Sequence, residues 1–193
     1  MKLYVISRHG HSVLNFERRI NGDPSRPVPL TEQGETAARL LGTQVAHVSF
    51  DACVHTRFAR TRDTAAIALE GRGVPFEVEP LLDDIRIGEL EGATIDHYRE
   101  VKASLGRHTP FPGGESLDDA ALRYAKAYRR LLERPWQRVL VVCHEIPLRY
   151  ALNAAAASDD LDGPIHDIAN ATPYLFDEDA LTRAARRIAE LAS

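Results

Sequence analysis

The sequence predicts a three-layer α/β/α sandwich with a mostly parallel central sheet. Short apolar, β-branched runs at residues 3–7 and 139–143 alternate with segments of helical period. Two of those runs end in histidine-bearing turns that lead toward helices. The third observation is size: 193 residues, 44% of them hydrophobic, suffice for one sizeable core and not for two. One domain over residues 1–193 follows, with its ligand crevice beyond the carboxyl ends of the strands.

The elements run in order. Residues 3–7 read as a buried strand that stops at the polar turn Arg8-His9-Gly10-His11. A Gly- and Pro-punctuated loop over 21–29 precedes a helix with Thr31 as N-cap, running to about His47. A second strand over 50–54 meets the junction His55-Thr56, and a helix over 57–70 stops at Gly71. Residues 76–79 alternate like an edge strand. From 82 to 114 the chain is rich in Gly, Pro and charge, with short helical patches at 95–102, and behaves as a lid or insertion spanning about 82–116. A helix over 117–133, a strongly buried strand over 139–143 ending at His144, a helix over 147–157, a strand over 173–176 and an Arg-rich amphipathic helix over 181–191 complete the pattern.

Composition excludes several classes. The net charge is −4 with basic and acidic residues interspersed, so neither a nucleic-acid stripe nor a polybasic membrane face is present, and a small anionic substrate would need a local positive pocket. No apolar leader and no spanning stretch stand in the sequence, which predicts a soluble, cytoplasmic protein. Cys53 and Cys143 each lie in an apolar strand-like run without a Cys-x-x-Cys partner, as reduced core thiols do.

Arg8-His9-Gly10 at a strand end suits a phosphate pocket, since a guanidinium, an imidazole and a flexible glycine sit together. Alone it describes equally well a turn with a hydrogen-bonded histidine. Further segments follow it in order: Ser12 with Asn15, then Pro29-Leu30-Thr31-Glu32-Gln33-Gly34, then Thr56-Arg57-Phe58-Ala59-Arg60-Thr61. Asp84 ahead of Glu89-Leu90-Glu91-Gly92, then Pro112-Gly113-Gly114-Glu115-Ser116, and Val141-Val142-Cys143-His144 complete the series. Through this ordered set, which spans nearly the whole chain, the sequence resembles the histidine phosphatase superfamily, the phosphoglycerate-mutase-like proteins. The resemblance implies their fold, a phosphorylated His9, Arg60 as second phosphate-binding arginine, His144 as second pocket histidine and Asp84 as proton donor.

The chemistry of these residue types agrees. Arg8 and Arg60 offer planar, permanently charged forks for equatorial phosphoryl oxygens. His9 is expected to attack as the neutral imidazole, and His144 to act as a cationic clamp, because phosphate and nearby carboxylates raise a histidine pKa. Asn15 adds an uncharged donor, and the loop beginning at Gly10, including Ser12, is expected to offer amides. Three features depart from the pattern. Asp84 stands where glutamate is more frequent, with Asp83, Glu89 and Glu91 nearby as other candidate acids. Glu145 replaces the usual glycine and could hold His144 charged, donate a proton or point to solvent, the last two being favoured. The loop 22–28 is longer than usual and carries Arg26, read as an exposed charge.

The expected activity is hydrolysis of phosphate monoesters through a phosphohistidine, without metal or cofactor. Small-molecule esters are the foremost substrates and phosphoproteins the alternative; a homodimer is compatible with the sequence. A mutase-type phosphotransferase and a non-catalytic phospho-ligand-binding protein are the competing readings. The segment 86–115 disfavours a mutase, because Arg86, Arg99, Lys102 and Arg107 are intermixed with Asp96 and Glu100 and form no adjacent arginine pair. A metal hydrolase built on His9 and His11 lacks accompanying ligand clusters at familiar spacings. His47, His55, His97, His108 and His166 are read as surface or locally bonded residues, and Tyr98 and Trp136 as packing residues.

Overall fold

Residue alternation along the central strands sorts the helices into two layers. In a computed structural model describing residues 2–193, strands β1 (Leu3–Arg8), β2 (Ala52–His55), β3 (Phe76–Val78), β4 (Arg138–Cys143) and β5 (Tyr174–Asp177) form one sheet in the order β3-β2-β4-β1-β5. All neighbours are parallel except β5, which runs antiparallel to β1. Val5, Cys53, Leu140 and Val142 point to one face, where they pack with Leu41 and Ala65 of helices α2 (Glu32–Gln44) and α3 (Ala59–Ala68). Tyr4, Ile6, Val54, Val139 and Val141 point to the other, against α5 (Leu117–Glu133), α6 (Glu145–Ala155) and α7 (Glu178–Leu191). Burial on both faces explains why these strands read as continuous apolar runs.

This arrangement places the crevice. The chain leaves β1 toward α2 on one face and leaves β4 into α6 on the other. The carboxyl ends of the paired strands β1 and β4 are therefore a topological switch point, where a doubly wound sheet opens. Arg8, His9 and His144 all stand there, and the His9 amide donates to Cys143 O at 3.0 Å. A short helix α1 (Val13–Phe16), which the sequence reading lacked, follows His9 behind a capping box between Ser12 and Asn15.

Helix starts follow local chemistry. Thr31 caps α2 as expected, and Ser116 with Asp119 caps α5. Helix α6 begins at Glu145 instead of Pro147, because a proline in the first turn needs no amide hydrogen. Helix α3 begins at Ala59 because Phe58, its N-cap, is extended, and the Arg57 amide ahead of it donates to Asp83 Oδ1 at 2.9 Å. Helix α7 begins three residues before the expected Leu181, capped by Asp177. Within residues 82–116, α4 (Ile95–Leu105) runs past Lys102, while Leu82, Ile85, Ile87, Leu90 and Phe111 are buried in the core. Cys53 and Cys143 are buried free thiols, and burial pushes the Cys53 pKa up to about 12. Among the described residues no helix is long and apolar enough to cross a membrane.

The loop after β1 is seated directly on α2. Thr31 N donates to His11 O at 2.9 Å, and a side chain at Gly34 would place its Cβ 2.0 Å from that same carbonyl. A Cβ at Gly10 would lie 2.6 Å from Gly34 O. Both obstacles are backbone and cannot swing aside. Gly34→Ala is expected to cost about 1–3 kcal/mol of unfolding free energy and to displace the His9 loop; a urea titration matching the unsubstituted chain would contradict this packing.

Candidate active site

At the β1/β4 switch point the Arg60 guanidinium, 5% exposed, lies between two imidazoles. Its Nε donates to His9 Nε2 at 3.0 Å, and its Nη2 approaches His144 Nδ1 at 3.1 Å. Nη1 donates to Asn21 Oδ1 at 2.5 Å; Nη2 also donates to Asn21 O at 3.1 Å and Asp84 Oδ2 at 3.0 Å. Two hydrogens on Nη2 thus serve three acceptors. The Phe58 ring lies under the guanidinium, 4.2 Å from Cζ, and edges onto His144. Arg60 reaches this place because it sits in the first turn of α3, whose start follows the end of β2.

The partners define both histidines. His9 Nδ1 lies 2.7 Å from Gly10 O, so it carries the hydrogen and leaves the Nε2 lone pair facing Arg60. His144 Nε2 lies 2.9 Å from Thr56 Oγ1, which meets Thr61 Oγ1 at 2.8 Å, and that hydroxyl donates to Phe58 O at 2.8 Å. Arg60 Nη2 can only donate, so its contact with Nδ1 places the His144 lone pair there and the hydrogen on Nε2, toward Thr56 Oγ1. Burial, then the charges of Arg60 and Arg8, hold the His9 pKa well below its ordinary range. Burial, then Arg60 and His9, do the same at His144. Without a bound anion this fully buried ring faces an Arg60 donor and its pKa is held low; the expected cationic His144 belongs to the phosphate-bound state.

Asp84 closes the same ring of contacts, its Oδ2 lying 3.3 Å from His144 Nδ1. Desolvation raises its pKa against the opposing pull of Arg60. Its reach is set by the backbone: Arg123 donates to Leu81 O at 2.8 Å, Asp83 O at 2.9 Å and Asp84 O at 3.3 Å, while buried Glu115 grips Arg123 at 2.5 Å. The alternative acids stand elsewhere. Asp83 bonds Arg57 Nε at 2.6 Å, Glu91 holds Asn21 Nδ2 and Gly22 N at 2.7 Å each, and Glu89 is exposed.

The expected loop amides are committed elsewhere. Gly10 N donates to Thr64 Oγ1 at 2.8 Å and Ser12 N to Asn15 Oδ1 at 3.1 Å, while Ser12 Oγ accepts from Asn15 N at 3.4 Å. Gly10 and Ser12 therefore shape the loop, because their own amides are spent on seating it. Asn15 spends its carbonyl on this cap and still lines the cleft. Arg8 Nη1 donates to Ile168 O at 2.9 Å and meets Glu145 Oε2 at 3.0 Å; Arg8 Nε is buried without a partner. Glu145 neither contacts His144 nor points freely to solvent, since Arg149 holds its other oxygen at 3.0 Å. Arg26 is half exposed and 3.7 Å from Glu91, as a rim charge. His11 Nδ1 lies 3.2 Å from Thr31 Oγ1. Among the described residues no group of three or more His, Cys, Asp or Glu could hold a metal ion.

A cleft of about 230 Å³ opens on this ring. Arg8, His9, Asn15, Arg60, Asp84 and Glu145 form its floor, and Ile20, Ile87, Tyr98, Ile146, Arg99 and Arg149 line it further. A neighbouring hollow of about 300 Å³ shares only Gly22, Asp84 and Ile87 with it and lacks His9; fully buried His144 lines neither. Sequence reading passed over Asn21, Thr64, Arg123, Arg149 and Asn170, whose side chain donates to His9 O at 2.7 Å. Only Arg123, a charge inside the otherwise apolar period of α5, carried a legible signal.

The comparisons converge on one family. The model of the histidine phosphatase superfamily (branch 1) matches residues 4–188. A relative from Photorhabdus laumondii, described as a probable phosphoglycerate mutase GpmB, is 34% identical over 156 residues, covering 77% of this chain and 71% of its own. A 2,3-bisphosphoglycerate-dependent phosphoglycerate mutase 2 from Gloeobacter violaceus is 33% identical over 168 residues, covering 79% and 74%. The solved structure of the alpha-ribazole phosphatase from Shigella flexneri superposes with a TM-score of 0.79 over 91% of this chain and 90% of that one, at 23% identity, which shows a shared fold.

Two depressed histidines have a consequence for stability. The unfolded chain takes up protons near the ordinary histidine pKa while folded His9 and His144 do not, so stability falls as pH drops through about 6.5. Raised Asp84 works in the opposite sense, toward greater stability at low pH. Urea unfolding at pH 7.5 and 5.5 should show the net loss, about 1.4 kcal/mol for each histidine over that whole interval less the opposing contribution of Asp84. His144→Gln should shrink it; an undiminished loss would contradict the assignment.

Proposed function

Because the chain belongs to the histidine phosphatase superfamily, whose model spans residues 4–188, we propose that it hydrolyses small-molecule phosphate monoesters through a phosphohistidine on His9. The observation that carries this reading is the His9 tautomer. With Nδ1–H bonded to Gly10 O, the Nε2 lone pair faces the cleft beside the Arg60 guanidinium. A phosphoryl group entering there replaces imidazole nitrogens with its own oxygens as acceptors of Arg60, and adds charge that Arg8 and Arg60 stabilise through transfer.

Each step follows from a named group. His9 Nε2 attacks phosphorus as the bond to the leaving oxygen breaks, and Asp84, its pKa raised by desolvation, gives that oxygen a proton. The resulting Asp84 carboxylate takes a proton from water as the water oxygen attacks phosphorus, and the His9–phosphorus bond breaks to release phosphate. His144 becomes the cationic clamp only when the phosphoryl dianion arrives, since neutral His144 offers Arg60 a lone pair and the cleft no hydrogen at Nδ1. These steps use protein groups and water alone and suit a cytosolic metabolite phosphatase.

The mutase reading rests on the names of the relatives from Photorhabdus laumondii and Gloeobacter violaceus. Hydrolysis is favoured because two cations of the leaving-group end, Lys102 and Arg19, are engaged by the chain's own acceptors. Lys102 is 3.1 Å from Asp162, and Arg19 donates to Gly92 O at 2.6 Å. A sugar acid returning for rephosphorylation would have little to anchor it.

His9→Ala should abolish both turnover of p-nitrophenyl phosphate and an acid-labile, base-stable phosphoenzyme; survival of either would overturn the proposal. Asp84→Asn should lower kcat by about 10²–10⁴-fold for alkyl phosphates. Nitrophenolate leaves without a proton, so its loss should be smaller in steady-state and burst measurements that isolate phosphoryl transfer. Equal losses in that step would remove Asp84 as general acid.

A further inference from the structure

Glu145 is the first residue of α6, directly after His144, and its carboxylate is shared between two arginines of the cleft. Oε2 lies 3.0 Å from Arg8 Nη1, and Oε1 accepts from Arg149 Nη1 at 3.0 Å across one helical turn. Arg149, only 11% exposed, spends Nη2 on Asp162 Oδ1 at 2.8 Å. Asp162 in turn takes Arg107 at 2.6 Å and Lys102 at 3.1 Å. Arg149, a cation of the cleft beside Glu145, is therefore answered from within the chain.

We propose that Glu145 is an internal stand-in for a second anionic group of the substrate, making the cleft selective for phosphate monoesters whose leaving group is uncharged next to the ester. The assignment deepens the phosphatase reading and rests on it. A carboxylate or second phosphate close to the ester meets the Glu145 charge and finds both Nη atoms of Arg149 already engaged by Glu145 and Asp162, so its desolvation is not repaid. An uncharged leaving group meets Ile20, Ile87 and Ile146 along the same cleft and loses nothing. Selection against the unwanted partner thus comes from a repulsive element built into the helix start. Arg99 is two-thirds exposed at the outer rim, 3.9 Å from Asp96, and can still meet an anionic group at the far end of a longer substrate.

Glycerol 3-phosphate and 3-phosphoglycerate test this, because they differ only in carrying a hydroxymethyl group or a carboxylate at the far carbon. Their dissociation constants are measured by calorimetry in the His9→Ala background, where neither ester turns over. With Glu145 present, glycerol 3-phosphate is expected to bind the more tightly. Glu145→Gln keeps the volume, removes the charge and frees Arg149, and should improve 3-phosphoglycerate about tenfold relative to glycerol 3-phosphate. Glu145→Gly should move the ratio the same way, and adding Arg149→Gln should cancel the gain. A ratio unmoved by either Glu145 substitution, or a gain that survives Arg149→Gln, overturns the proposal. Hydrolysis of the two esters with His9 intact is read separately: a shifted affinity ratio without any turnover would remove the phosphatase reading and leave the Glu145 assignment standing.

Discussion

The Arg60 guanidinium is taken out of water with a single carboxylate, Asp84 at 3.0 Å, in direct contact. Removing a charge from water costs several kcal/mol, and the fold recovers this only by filling the guanidinium's donor positions. It does so with two imidazole nitrogens and both oxygens of Asn21. Everything else in the cleft is constrained by that satisfaction. The histidines must offer lone pairs, so they must be neutral; to offer them at the right nitrogen, their other nitrogens must be fixed by Gly10 O and Thr56 Oγ1.

Such a ring is a resting state poised for an anion. Phosphoryl oxygens are better acceptors for a guanidinium than imidazole nitrogens, so a dianion can take over donors that His9 and His144 hold in its absence. His9 is then released with its lone pair free, and His144 gains a reason to take a proton. The same logic of internal counter-groups extends outward through Glu145 and Asp162, which engage Arg8, Arg149 and Lys102. Inner donors can be traded for substrate oxygens, whereas Arg149 is held by two carboxylates of its own.

Much of this was legible from residue order. Val5 and Leu140 against Tyr4 and Val141 already carried the two-faced burial of a parallel sheet, and the histidines at the ends of β1 and β4 marked the crevice. The motif glycines Gly10 and Gly34 proved to be the contact surface between loop and helix. The anion-free state of His144 was not legible, because it depends on whether Arg60 points a donor at the ring, a fact of three-dimensional packing. Nor was the reach of Asp84, set by Arg123 from a helix about forty residues away in sequence. Glu145 stood out as a departure, but its partner Arg149, and Asp162 which Arg149 also holds, lie on a helix face and a following loop with no motif to single them out.

The account stands or falls on the state of the two imidazoles, which ¹⁵N nuclear magnetic resonance of the histidine rings reads directly. In anion-free protein near neutral pH, His9 should show a protonated Nδ1 with a bare Nε2, and His144 a protonated Nε2 with a bare Nδ1. Saturating phosphate should turn His144 alone into an imidazolium. A cationic His144 before phosphate is added, or a hydrogen on His9 Nε2, would contradict the arrangement built around Arg60.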